Sequence, residues 1–161
     1  MKALGICIVL SVGLAQAEPA VPDAVWSQAW LDQAYLSRHQ ALTQAADVLA
    51  SATSAFCQRS DAQQLDVVKQ RWLDASQAWR AMDGAPAEPM VQERLGRKID
   101  FRPTRPNDIE AAIAGGEASN AATRGLSAME YLLWGDAAPA EQLNQLQQPA
   151  RCAYLLKQAQ S

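Results

Sequence analysis

Few residues in this chain have types and spacing suited to chemistry, and Glu130 is the most conspicuous of them. It lies in Gly125-Leu126-Ser127-Ala128-Met129-Glu130-Tyr131-Leu132-Leu133-Trp134-Gly135, a glycine-bracketed stretch with no other acidic or basic side chain. A helix that is apolar nearly all round is normally buried. A carboxylate inside one is costly unless it is paired, hydrogen-bonded, protonated or bound to a metal. Leu126, four residues before, and Leu133, three after, place Glu130 on an inward face that Ser127 shares. Two readings follow. The pair is a structural hydrogen-bonding unit, for instance to Arg124 or a helix end, or Glu130 is one oxygen of a hard-metal site. The residues alone favour the structural reading, because perturbed carboxylates are often simply paired.

Other chemistries lack their parts. The chain has no Gly-rich phosphate loop, no H-E-x-x-H and no C-x-x-C. Met129 stands where the second glycine of a G-x-S-x-G elbow belongs, and His39 is the only histidine, so a serine nucleophile has no evident base. His39 itself reads as a helix-flank side chain, since a site histidine needs convergent partners. No residue is assigned a catalytic role. Arg94, Arg97, Lys98, Arg102 and Arg105 cluster around Phe101. They are interleaved with carboxylates at Asp83, Glu88, Glu93, Asp100 and Asp108, which reads as a solvated, internally paired connection. With 14 basic against 17 acidic residues, nucleic acid is not an expected partner.

These residues must be positioned by helices. Residues 1–17 have the form of a signal peptide: Lys2, an apolar run from Ala3 to Leu14, and the small-residue site Ala15-Gln16-Ala17. Residues 18–161 are then one domain, exported to the periplasm, with no later segment long and apolar enough for a stable membrane span. Cys57 and Cys152 are the cysteines left after cleavage, and in an exported chain such a pair reads as a disulfide. Asp23 caps a first helix, in which Tyr35, Leu42, Leu49 and Phe56 recur every seven residues. Ser60 or Asp61 caps a second, whose seam of Leu65, Val68, Trp72, Ala75, Trp79 and Met82 is unbroken. The seven-residue spacing of Trp72 and Trp79 marks them as core. The 96–107 segment is an irregular connection, and short helices follow from Asp108, through the Glu130 stretch, from Pro139 and from Pro149. The expectation is an all-α, up-and-down helical bundle.

The Glu130 stretch resembles the imelysin family, whose motif helix reads Gly-x-His-x-x-Glu followed by Tyr-Leu-Leu-Phe/Trp-Gly. Gly125, Glu130 and the tail Tyr131-Leu132-Leu133-Trp134-Gly135 match. Arg71-Trp72 with Ala75, Ala78 and Trp79 is similar to the family's second helix. Arg97-Lys98-Ile99-Asp100-Phe101-Arg102-Pro103 resembles its Arg-x-Ile-x-Phe-Trp-Pro connection, with Arg102 in the tryptophan's place. The resemblance implies an exported helical-bundle protein linked to iron uptake, with iron or another divalent metal as ligand, or a protein of the iron-uptake machinery as partner. Of the motif's metal-site pair only Glu130 carries over, because Ser127 stands where the histidine belongs. The family name also implies a metallopeptidase alternative, and a remnant with no metal site is a third reading. Members usually contain two bundle halves, and this chain reads as a single-half short form.

Overall fold

The structure, a computed structural model, describes residues 21–82, 88–115 and 120–161. The expected signal peptide at 1–17 and the helix stop at 83–86 lie outside the described residues. Helix α1 (Ala24–Trp30) starts at Asp23, whose Oδ1 accepts from the Trp26 amide at 2.7 Å. It runs through a π turn (Leu31–Tyr35) into α2 (Leu36–Gln58). Helix α3 (Ala62–Arg80) is capped by Asp61, which accepts from the Gln64 amide at 2.8 Å. An N-cap carboxylate satisfies a backbone donor that has no partner within the helix. The link between α2 and α3 is so short that α3 folds back along α2 and makes the most extensive helix pair of the molecule.

Burial along the first seam is graded. Leu49 and Phe56 are buried, Tyr35 and Leu42 half-buried, and Trp26 is 55% exposed. Helix α3 is 19 residues long, against 23 in α2 with α1 and the π turn in front of it. It therefore covers the later part of the seam and leaves the beginning less covered. The second seam packs as expected. Leu65, Val68, Trp72, Ala75 and Met82 are buried, and half-buried Trp79 packs against the core cluster.

The connection carries α4 (Glu88–Gln92), α5 (Leu95–Ile99) and α6 (Pro106–Gly115). A 3-10 turn (Ala121–Thr123) leads into α7 (Gly125–Trp134), followed by α8 (Pro139–Leu146) and α9 (Pro149–Ala159). Pro139 and Pro149 begin their helices, where a missing amide costs nothing. Helix α9 packs on both α2 and α7, and α7 also packs on α3. Phe56, Val68, Ile109, Leu132, Leu133, Leu146 and Leu155 close the core between them. The fold is the expected all-α bundle. Among the described residues the only extended pairing is a single antiparallel bridge between Asp100 and Gly125, and no helix is long and apolar enough to cross a membrane.

Cys57 near the end of α2 and Cys152 in α9 are bonded, with Cα atoms 5.8 Å apart. The bond spans a sequence separation of 95 and ties the last helix to the first hairpin. In the chain-entropy account a loop of that length stabilises the fold by roughly 4–5 kcal/mol. Reduction, or the double change Cys57→Ser/Cys152→Ser, should lower the melting temperature by roughly 10 °C for a domain of this size. A melt read by circular dichroism with and without reductant checks this, and titratable free thiols in the oxidised protein would remove the claim.

Candidate functional site

The two segments singled out in the sequence, the 97–103 connection and α7, meet at Gly125. Gly125 has φ +71°, a left-handed conformation that glycine adopts without penalty. A Cβ there would lie 2.6 Å from the Lys98 carbonyl oxygen and closer still to that of Ile99. The absence of a side chain is what lets Asp100 and Gly125 form their bridge. The Gly125 amide donates to Gln158 Oε1 of α9 at 3.1 Å, and Trp72 Nε1 of α3 donates to the Leu126 carbonyl at 2.9 Å. The start of α7 is thus held from three sides.

Gly125, Leu126, Ser127, Ala128, Met129, Leu132 and Leu133 are buried. Ser127 is fully buried, and its Oγ donates to the Arg124 carbonyl at 3.4 Å. It serves the backbone ahead of the helix. Glu130 differs from the expectation of an inward carboxylate: its side chain is 39% exposed. At about 100° per residue, Glu130 lies about 40° from Leu126 and about 60° from Leu133, at the edge of the apolar stripe. Solvent reaches the sector between Glu130 and Tyr131, and Trp134 is 41% exposed. The apolar neighbours located the stripe correctly, and its width was overestimated.

Glu130 is paired. Arg102 Nη1 lies 2.6 Å from Glu130 Oε2, and Arg102 Nε donates to Asp100 Oδ1 at 3.1 Å. Oε2 is itself shielded from solvent and has no aligned hydrogen-bond donor, so the contact with Nη1 is an ion pair in which charge counts more than direction. The solvated, internally paired reading of the basic cluster holds for Lys98 and Arg105. Lys98 faces Glu93 and Arg105 faces Asp108, each at 3.8 Å, while Arg97 stacks over the Phe101 ring at 5.3 Å. The partner that Arg102 finds on α7 was not foreseen.

A second cluster escaped the sequence altogether. Arg151 of α9 donates through Nη1 and Nη2 to the two oxygens of Glu110 on α6, each at 2.7 Å, and the Tyr131 hydroxyl donates to Glu110 Oε1 at 2.7 Å. The forked guanidinium matches the carboxylate plane. The Arg151 hydrogen bonds hold the Glu110 carboxyl below the ordinary carboxylate range, against the opposing effect of burial. Burial, then the nearby Glu110 carboxylate, pushes the Tyr131 hydroxyl up. Tyr131 is in the motif tail, yet nothing in its spacing indicated α6 or α9.

The donors present do not make a conventional divalent-metal set. Ser127 is turned to the main chain, Glu130 is already neutralised by a guanidinium, and His39 near the start of α2 lies tilted against Tyr35, ring centroids 4.5 Å apart. A catalytic zinc takes three protein ligands and an open position, whereas among the described residues no three His, Cys, Asp or Glu side chains converge. The model of the imelysin peptidase family matches residues 35–161. The chain belongs to the imelysin family. No curated protein and no solved structure matches it. This imelysin chain keeps the motif glycine as a backbone device, while its Ser127 and Glu130 are engaged by neighbours of their own.

Two outcomes test this geometry. Gly125→Ala forces a left-handed alanine against two carbonyls, and should destabilise the fold by at least about 2 kcal/mol in urea denaturation. A wild-type midpoint would show that the junction relaxes. The Glu110 carboxyl is depressed on folding, so its contribution is present above the unfolded value of about 4.3 and is lost as pH falls through the folded value. Glu110→Gln should therefore be less stable than wild type at neutral pH, by about 1 kcal/mol once the exposure of the pair is discounted. The gap should narrow progressively in denaturation curves taken at decreasing pH below the unfolded value, as the carboxylate takes up its proton. A gap that stays constant with pH would mean that charge on Glu110 contributes nothing.

Proposed function

We propose that this chain is an exported, non-enzymatic imelysin that works by binding a partner in iron uptake, and that α7 is a framework element of that binding protein. The use made of the motif carries the reading. Ser127 closes onto the Arg124 carbonyl and Glu130 onto Arg102, so neither offers a substrate a free nucleophile or base. A general base must reach the proton it removes, and Glu130 Oε2 is occupied by a cation. Export is supported by the Cys57–Cys152 bond, which suits an oxidising compartment such as the periplasm, together with the leader-like residues 1–17. The link to iron rests on the family resemblance. The favoured ligand is a protein of the uptake machinery. Iron or another divalent metal, if it is bound directly, has Glu130 as its one motif donor.

The metallopeptidase alternative makes a different demand on the same residue. Purified residues 18–161 should cleave unfolded protein substrates no faster with divalent metal than with chelator. Cells lacking the chain should grow more slowly under iron limitation, and wild type and Glu130→Gln should restore growth equally. Chelator-sensitive hydrolysis lost in Glu130→Gln would replace the binding reading with the peptidase one. Growth that is indifferent to the chain at low iron would remove the link to iron.

A further inference from the structure

We infer that Arg102 is the resident cation of the motif and sets its cation specificity, its guanidinium holding the place between Asp100 and Glu130 that a divalent ion would need. The inference concerns this site alone and does not depend on the partner-binding reading.

Two carboxylates from different segments converge on one planar cation. Asp100 Oδ1 is 3.1 Å from Nε and Glu130 Oε2 is 2.6 Å from Nη1. The Asp100 side chain is 14% exposed, the least exposed of the three, against 39% for Glu130 and 44% for Arg102. The Asp100–Gly125 bridge joins the backbones that carry the two acids, which keeps both carboxylates within reach of one cation. Two like charges held together in this way need a counter-charge. A hard divalent ion would supply it at about 2.0–2.6 Å from the oxygens. Nη1 already stands at that distance from Oε2, and a second cation there would meet both its volume and its charge. The guanidinium stays protonated at any ordinary pH and, unlike an ion, cannot dissociate from the chain. The clamp between the 97–103 connection and α7 is thereby independent of metal supply. Lys98 faces Glu93, Arg105 faces Asp108 and Arg97 lies over the Phe101 ring.

The test is a set of thermal melts on the oxidised protein, in chelator and in millimolar Mn2+. Wild type should melt at the same temperature in both. Arg102→Ala should melt several degrees lower in chelator and regain part of the loss in Mn2+, because the two carboxylates are then open to the ion. That recovery should vanish in Arg102→Ala/Glu130→Gln. Arg102→Lys, which keeps the charge, should melt between the two and ignore Mn2+. If Arg102→Ala does not fold, Arg102→Gln, of similar length and uncharged, takes its place in the same comparison. An Arg102→Ala or Arg102→Gln melt that ignores Mn2+ overturns the inference. Stoichiometric Mn2+ or Fe2+ binding by wild type that is lost in Glu130→Gln overturns it as well. Neither result bears on the growth and hydrolysis experiments that test the partner reading.

Discussion

The close approach at Gly125 is the constraint on which the site depends. A positive φ and the two carbonyls of Lys98 and Ile99 leave no room for a side chain there. Because the space is empty, the connection can lie against the start of α7 and bridge to it through Asp100. The Arg102–Glu130 contact follows from that junction. Arg102, two residues beyond Asp100, comes within reach of Glu130, which lies just over one turn along α7 from Gly125. Move the junction by one side chain and the ion pair has no reason to form.

Helix α7 resolves a conflict between its composition and its place. Seven of its residues are buried, and the narrow sector left open contains its single carboxylate and its tyrosine. Each of these adjacent residues is tied to a different segment: Glu130 to Arg102 of the connection, Tyr131 to Glu110 of α6 and, through Glu110, to Arg151 of α9. A charge at the edge of an apolar helix costs little when it is half solvated and paired. The same carboxylate one face further round would need full compensation.

Much of the fold was legible because helical periodicity reports burial directly. The unbroken seam of α3, the caps at Asp23 and Asp61 and the prolines opening α8 and α9 are local signals, and each is used as its chemistry predicts. The Cys57–Cys152 pairing was legible because only two cysteines follow the expected signal peptide. The site was legible only in outline. Glu130 was conspicuous, but its outward turn depends on the width of the stripe, which two leucines do not define. The Glu110–Arg151 pair joins residues 41 positions apart, and no periodicity links two such segments. The π turn at Leu31–Tyr35 is similarly silent in the sequence, because apolar spacing tolerates one extra residue in a turn.

The two ion-paired clusters also account for a carboxylate at the edge of an otherwise apolar helix. Glu130 has a role there that does not involve Ser127. Through Arg102 it fastens the connection to α7, while its neighbour Tyr131 fastens the helix to α6 and α9 through Glu110 and Arg151. A helix pinned at its first residue by backbone contacts, and along its open sector by charges from two directions, cannot rotate to bring Glu130 inward. The exposure of Glu130 is therefore a consequence of how the bundle closes, and the chemistry open to it is the chemistry of a carboxylate that already has its cation.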